Sequence, residues 1–139
     1  MEITYSDDFT DICWQRVCEI FESVGWERRT IEEIQQAFKK SSFVRIAYHE
    51  AIIVGFGRTV DDGKYYGLIV DLIVHPNYQG RGIGKRILRE LRDEMSGFIF
   101  TTLTAAYGKH EFYLKQGWKR QASAFIWPRN EKQAGQHTR

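Results

Sequence analysis

Helical periodicity dominates the first forty residues. One apolar face is formed by residues at the spacing i, i+3, i+4 and i+7, namely Trp14, Val17, Cys18 and Phe21. Asp11 stands where it can cap this helix, and Gly25 ends it. Thr30 followed by Glu33 is the signature of a capping box, so we predict a second helix over residues 31–40.

From residue 43 onward, the short apolar runs are typical of β-strands. We predict a short first strand at Ile3–Tyr5 and three longer strands over residues 43–48, 51–60 and 65–74. The sequence Asp61-Asp62-Gly63 indicates a hairpin turn between the last two. The last of these strands is apolar on both faces, which places it in the interior of a sheet.

The second half of the chain continues the alternation of strands and helices. We predict a helix over residues 82–95, a buried strand over 98–103, a short helix over 108–116, and a closing hairpin from strands at 118–121 and 124–127. After Pro128 every residue is polar or small, which predicts a disordered tail over residues 129–139. The chain is therefore expected to be one mixed α/β domain, residues 1–128, built on a single sheet.

Composition and charge narrow the class of protein. Hydrophobic residues make up 42% of the chain and aromatic residues 14%, enough for a well-filled core. No apolar stretch is long enough to span a membrane and the first residues do not resemble a signal peptide, so we expect a cytoplasmic protein without a membrane partner. Cys13 and Cys18 are expected to be reduced, buried thiols. The net charge of +2 gives no support to a nucleic-acid partner.

The most informative segment is the turn between the apolar strand ending at Pro76 and the helix after residue 82. Three alternate glycines stand there: Gly80, Gly82 and Gly84. Glycines leave the backbone N–H groups at a helix start uncovered, and these groups with the helix dipole form an anion site. Arg81 and Lys85 add positive charge from the flanks.

Two common phosphate-binding motifs do not fit this loop. The third glycine of a Rossmann fingerprint would fall at position 85, which is Lys85. No Gly-Lys-Ser or Gly-Lys-Thr follows a glycine at the spacing of a P-loop.

The loop instead resembles the acetyl-CoA signature of the GNAT superfamily of N-acetyltransferases. The matching pattern is Gln79-x-x-Gly82-x-Gly84, preceded by Leu72-x-Val74-x-Pro76. A second segment, Phe112-Tyr113-Leu114-Lys115-Gln116-Gly117-Trp118, resembles the Phe-Tyr-x-x-x-Gly-Phe sequence near the end of that fold. The resemblance implies a mostly antiparallel central sheet of six to seven strands with a splayed pair, flanked by four helices, and a homodimer.

The resemblance also implies a coenzyme site and no metal. Acetyl-CoA, as a co-substrate, would be held by the backbone of Leu72, Ile73 and Val74, by the loop residues Gln79, Gly80, Arg81, Gly82, Ile83, Gly84 and Lys85, and by Thr104 and Tyr113. Thr104 stands where many relatives have an Asn, so it would have to replace that contact. One strand amide would polarise the thioester carbonyl.

Two residues are candidates for proton transfer. Tyr113 matches the family position whose phenol protonates the departing thiolate. Asp71, the acidic side chain on the strand that flanks the reaction centre, is either the base that deprotonates the amine or a structural partner of a loop amide or of the arginines in residues 25–30. His75 is expected at the surface. In many relatives no single base exists and ordered waters carry the proton.

The acceptor is expected to be a primary amine of a small molecule. In this fold it is selected mainly by the loop between the first two helices, so Trp26, Arg29 and the aromatic Tyr66 are candidate acceptor residues. Two alternatives stay open at this point. The chain acetylates a protein or peptide amine, or it is an acyl-CoA sensor that has lost the chemistry.

Overall fold

A computed structural model describes residues 1–138 as two compact units, Met1–Thr104 and the residues from Ala105 onward. The strands are β1 Ile3–Ser6, β2 Val44–His49, β3 Ile52–Asp61, β4 Tyr66–Val74 and β5 Phe100–Leu103. The helices are α1 Trp14–Ser23, α2 Ile31–Lys40, α3 Ile83–Glu94, α4 His110–Lys115 and α5 Glu131–His137, with a 3-10 turn at Pro76–Tyr78. None of these helices combines the length and apolar character needed to cross a bilayer.

The first unit is built on one mixed sheet with strands in the order β1-β2-β3-β4-β5. The first four strands are antiparallel neighbours, and β5 pairs with β4 in parallel. The predicted fold class, a mostly antiparallel mixed sheet with helices, is confirmed. The sheet has five strands within residues 1–138, whereas six to seven were expected.

The missing strands are the two predicted after Gly117, over residues 118–121 and 124–127. Residues 118–127 contain no strand, so the predicted closing hairpin is wrong. The strand predicted over residues 98–103 begins only at Phe100 and is an edge strand, with 49% of Phe100 exposed. Its apolar residues suggested burial, but a strand's position in the sheet depends on partners distant in sequence.

Local signals predicted the second helix accurately. The Thr30 hydroxyl accepts a 3.2 Å hydrogen bond from the Glu33 amide, and the Thr30 amide donates a 3.0 Å bond to Glu33 Oε1. The capping box is therefore complete, and α2 begins at Ile31 as expected. Helix α1, in contrast, has Cys13 at its N-cap without a side-chain cap, so Asp11 does not cap it.

Helices α1 and α2 cover one face of the sheet with an aromatic-rich core. Phe56 of β3 lies 5.2 Å from the Phe21 ring and 5.9 Å from the Phe38 ring, centroid to centroid. The core cluster contains Val17, Cys18, Ile20, Phe21, Ile34, Phe38, Val44, Ile46, Ile53, Phe56 and Ile73. Cys18 is buried as predicted, whereas Cys13 is exposed.

Helix α3 covers the opposite face and approaches the sheet closely over two glycines. A Cβ at Gly57 would lie 2.9 Å from Ile87 Cγ2 and 3.0 Å from Leu91 Cδ1. A Cβ at Gly67 would collide with the sulfur of Met95. These two glycines therefore set how near α3 lies to β3 and β4, and so where the loop before α3 is held.

The second unit contains α4 and α5. Helix α4 is followed by Gly117 in a left-handed conformation, with φ of 89°. The tail that the sequence predicts to be disordered contains α5, whose N-cap Asn130 accepts a 2.8 Å hydrogen bond from the Gln133 amide. Arg139, the last residue of the predicted tail, lies outside the described residues.

Candidate functional site

Strand β4 is interrupted by a β-bulge at its centre. Phe56 pairs with Ile73 and Arg58 with Val70, so Gly57 alone stands opposite two residues, Asp71 and Leu72. Asp71 adopts a left-handed conformation with φ of 53°. The extra residue bends the strand and shifts its alternation, as bulges beside functional sites commonly do.

The second half of β4 has a free edge. Strand β5 pairs only with residues Tyr66–Ile69 of β4. Beyond that point residues 70–74 pair with β3 alone within the described part of the chain. This is the splayed pair expected from the sequence, and it leaves the backbone of Leu72 and Ile73 on an open edge that an extended ligand can join.

One backbone group of this edge is already engaged. The side-chain amide of Gln79 donates a 2.9 Å hydrogen bond to the carbonyl oxygen of Val74. The sequence predicted that both Gln79 and Val74 bind the coenzyme. The bond connects the glycine loop to the end of β4 and leaves the carbonyl of Val74 committed.

The glycine loop is open on its outer side. Gly80 and Gly82 have φ values of 78° and 83°, which favour glycine, and a Cβ at either position would meet nothing within 4 Å. Gly82 is the N-cap of α3, and the first hydrogen bond of that helix runs from the Arg86 amide to the Gly82 carbonyl. The amides of the first turn precede that bond and point out of the helix start.

Positive charge flanks this helix start. Arg81 and Lys85 are exposed, and neither forms an ion pair with a carboxylate within residues 1–138. Arg81 extends over the ring of Tyr78 at 5.8 Å from the centroid. Arg86, one turn further, is paired with Glu90 at 2.7 Å. The loop thus presents open space, amides of a helix start and two cations without a carboxylate partner among the described residues, the requirements of an anion site.

Asp71 is buried and holds two arginines. Its Oδ2 accepts a 2.8 Å hydrogen bond from Arg58 Nε and a 3.1 Å bond from Arg29 Nη1. Only 6% of the Asp71 side chain is exposed. This arrangement matches the structural alternative that the sequence left open for Asp71, a partner of the arginines in residues 25–30.

Arg29 and Trp26 lie on the loop between α1 and α2, near Asp71. The Arg29 guanidinium carbon lies 4.4 Å from the centroid of the Phe21 ring and 5.8 Å from that of Trp26. The structure therefore brings two of the three predicted acceptor residues to the bulge. Arg58 was missed, although a charged residue in the middle of an apolar strand is a signal that marks it.

Tyr66 is not brought to this site. It stands at the first residue of β4, five residues from Asp71, or about 16 Å at the rise of an extended strand. There it is 55% exposed and stacks on Phe100 at 6.0 Å. Its aromatic character suggested an acceptor contact, but strand direction places it at the end remote from the glycine loop.

His75 and Thr104 mark the ends of two strands. The His75 ring accepts a 3.1 Å hydrogen bond from the Asn77 amide through Nδ1 and caps the 3-10 turn. Partial burial, and then the charge of Arg16, lower the pKa of His75. Thr104 directly follows β5 and is exposed.

Tyr113 lies on α4 in the second unit. Its ring contacts Phe112 edge to face at 5.0 Å, and its carbonyl accepts bonds from the amides of Gln116 and Trp118. Burial raises the pKa of the Tyr113 phenol above its usual value of 10.0. The hydroxyl therefore keeps its proton throughout the neutral range, as a general acid must.

Two other features bear on ligands. A cavity of about 460 Å³ lies between α2 and β3, lined by Glu33, Gln36, Ala37, Lys40, Arg58, Thr59, Val60 and Asp61. No residue of the glycine loop lines this cavity. Arg58, which does line it, is also the ion-pair partner of Asp71. Among residues 1–138 no three His, Cys, Asp or Glu side chains are grouped so that they could hold a metal.

Comparison with known proteins agrees with this geometry. The family model described as "Acetyltransferase (GNAT) domain" matches residues 40–120, more than half of the chain. An uncharacterized N-acetyltransferase, ycf52-like, from Prochlorococcus marinus is 35% identical over 72% of this chain and 59% of its own. The chain spans about 60% of the length of the curated relatives it matches in this way.

Solved structures share the fold. A crystal structure from meticillin-resistant Staphylococcus aureus, of a protein of unknown function described as a probable acetyltransferase, has a TM-score of 0.80 and 21% identity. It covers 93% of this chain and 100% of its own. A GNAT-family acetyltransferase from Streptococcus pneumoniae has a TM-score of 0.78 and 26% identity, covering 94% of this chain and 100% of its own.

Proposed function

The chain belongs to the GNAT acetyltransferase family, and we propose that it transfers the acetyl group of acetyl-CoA to a primary amine of a small molecule. The observation that carries this proposal is the bulged strand β4, whose second half has a free edge and leads directly into the open glycine loop. An edge of this kind suits an extended pantetheine arm, and the loop suits its diphosphate.

The residues of the loop fit acetyl-CoA. The open space above Gly80 and Gly82 leaves room for phosphate oxygens against the amides of Ile83, Gly84 and Lys85. The charges of Arg81 and Lys85 would offset the charge of a diphosphate. When bound, acetyl-CoA supplies the activated thioester.

In this proposal the backbone of β4 holds the pantetheine arm and polarises the thioester carbonyl. Because Gln79 occupies the carbonyl of Val74 and successive carbonyls of a strand point to opposite edges, we assign the carbonyl contact of the arm to Leu72. An amide of the same edge would donate to the thioester carbonyl and stabilise its developing negative charge. Thr104, exposed after β5, would add a side-chain hydroxyl to the coenzyme.

Proton movement is divided between Tyr113 and water. We assign Tyr113 as the acid that protonates the departing thiolate, because it stands at the matching position of the Phe112–Trp118 segment and its phenol is protonated at neutral pH. The two ion pairs of Asp71 support a positioning role for that carboxylate. The amine proton would then leave through ordered water, and Trp26 and Arg29 would line the acceptor side.

A cytoplasmic location and a homodimer stay predictions.

A panel of amines tests the proposal. The purified chain is incubated with acetyl-CoA and small primary amines, peptide amines or no acceptor, and released CoA is measured. We expect acetyl-CoA to raise the melting temperature by mass action and CoA release to require a small amine. Release with peptides alone would show a protein acetyltransferase. Binding without release for every acceptor would show an acyl-CoA sensor.

A further inference from the structure

Two arginines meet a single buried carboxylate at the bulge. Arg29 and Arg58 both donate to the same oxygen, Oδ2 of Asp71. Two guanidinium cations therefore share one carboxylate. Neither arginine forms an ion pair with another carboxylate within residues 1–138.

The two arginines differ in the number of hydrogen-bond donors that remain free. Arg58 also donates to the Ala37 carbonyl at 3.4 Å and to the Ser41 hydroxyl at 3.2 Å, and its side chain is only 13% exposed. Arg29 donates from Nη1 to Asp71 alone among the described residues, and 35% of its side chain is exposed. The spare charge and the spare donors are thus on Arg29.

The Arg29 fork is held in place before any ligand arrives. Its guanidinium lies over the Phe21 ring at 4.4 Å and near the Trp26 ring at 5.8 Å, while Asp71 fixes one nitrogen. A planar guanidinium with a free edge matches the two oxygens of a carboxylate or phosphate. Pre-organisation reduces the entropy lost on binding.

Glu33, whose carboxylate is influenced by the charge of Arg29, has its own hydrogen-bond partners. The pKa of Glu33 is lowered, first by the hydrogen bonds that the Thr30 amide and hydroxyl donate to it and to a smaller extent by the charge of Arg29. Both bonds to Glu33 Oε1 measure 3.0 Å. Glu33 completes the capping box of α2 and forms no ion pair with Arg29.

We propose that the acceptor amine carries an anionic group, a carboxylate or a phosphate, which pairs with the free edge of Arg29. The inference rests on the proposed function, since it names the class of amine that the same site accepts. The acceptor would be held at its acidic end by Arg29, with its amine directed along the bulged strand toward the thioester.

Matched acceptors test this inference. We would compare kcat/KM for CoA release with 4-(aminomethyl)benzoate against benzylamine, and with phosphoethanolamine against ethanolamine. A bond between charged partners predicts at least a roughly tenfold preference for the acidic member of one pair. The pair that shows it distinguishes a carboxylate from a phosphate. Equal or better turnover of the neutral members in both pairs would overturn the proposal.

Variants of Arg29 test whether the preference for acidic acceptors depends on this residue. In Arg29→Gln we expect the acidic-to-neutral ratio to fall to within about twofold of one, and in Arg29→Lys to lie between, because an ammonium lacks the planar fork. Arg28→Gln is the matched control, since Arg28 is the neighbouring residue, 89% exposed. A ratio that survives in Arg29→Gln, or falls equally in Arg28→Gln, contradicts the proposal. Melting temperatures show that each variant is folded.

Failure of the proposed function is separable from failure of this inference. If acetyl-CoA binds but no amine gives CoA release, acetyl transfer is overturned. The anion site is then decided by the melting-temperature shifts that benzoate and inorganic phosphate produce in the presence of acetyl-CoA. A shift seen in the wild type and lost in Arg29→Gln supports the site. An equal shift, or none, in both proteins overturns it.

Discussion

Arg58 Nε donates a 2.8 Å hydrogen bond to Asp71 Oδ2 across the bulge between β3 and β4. The pair is nearly inaccessible to water, with 13% and 6% of the two side chains exposed. Because a charge buried without its partner is costly, each residue fixes the other. The bond joins β3 and β4 at the bulge, next to the point where the free edge of β4 begins.

Asp71→Asn should therefore reduce stability strongly. Asparagine keeps an oxygen acceptor but removes the charge that compensates Arg58 and Arg29, so we expect a loss of about 2 to 4 kcal/mol in the free energy of unfolding. Turnover should fall by the same factor at every pH. Denaturant unfolding and a pH–rate profile measure the two effects.

The control for this change is Asp93→Asn. Asp93 pairs with Arg92 at the surface, with 62% of its side chain exposed, so its loss should cost under about 1 kcal/mol. Recovery of the Asp71→Asn rate at high pH would show instead that Asp71 is the general base.

Gly82→Val should abolish acetyl-CoA binding while leaving the chain folded. The new side chain meets no protein atom within 4 Å at its Cβ but fills the space proposed for the diphosphate. Its left-handed conformation costs about 1 to 2 kcal/mol of stability. The melting temperature with and without acetyl-CoA measures both effects.

Gly63→Val serves as the comparison, because Gly63 has a similar φ of 81° in a hairpin turn away from the loop. It should lose a similar amount of stability and keep its response to acetyl-CoA. A normal acetyl-CoA shift in Gly82→Val would rule out the loop as the diphosphate site.

Tyr113→Phe should lower turnover by about tenfold to a few hundredfold. General-acid removal typically costs ~10² to 10⁴ in rate, and a thiolate is already a fair leaving group, so we expect the lower part of that range. Acetyl-CoA affinity should change little, because the backbone of β4 and the loop holds the coenzyme in our proposal. Both quantities are measured on the same variant.

Tyr107→Phe is the matched control in the same unit, since Tyr107 is 68% exposed. The difference in turnover between the wild type and Tyr113→Phe should persist up to pH 10.0. Burial raises the pKa of the Tyr113 phenol above that value, so the hydroxyl stays protonated below it. Unchanged turnover in Tyr113→Phe would refute the acid role.

Gly57→Ala should destabilise the first unit by about 1 to 3 kcal/mol. The added Cβ would lie 2.9 Å from Ile87 Cγ2 and 3.0 Å from Leu91 Cδ1, so α3 must move away from the sheet. Gly97→Ala, where a Cβ would meet nothing within 4 Å, should change stability little. Thermal unfolding that leaves the two variants equal would mean that this contact adapts without cost.

Features that depend on neighbours in sequence were predictable. The capping box of Thr30 and Glu33, the bounds of α2, and the glycine loop before α3 all follow from residues a few positions apart. Their hydrogen bonds form within one turn, so the sequence carries the whole signal. The match of the family model to residues 40–120 agrees with the two motifs that carried the resemblance.

The sequence by itself determined the class of fold, the glycine loop and the order of elements as far as α4, because periodicity and turn chemistry are local. Only the tertiary structure decided that Asp71 pairs with Arg58 and Arg29, that β5 is an edge strand, and that Tyr66 lies far from the loop. A bulge whose left-handed residue is Asp71 rather than glycine leaves no mark in an alternating pattern. Its conformation is held by side chains from β3 and from the α1–α2 loop, and such contacts exist only once the chain has folded.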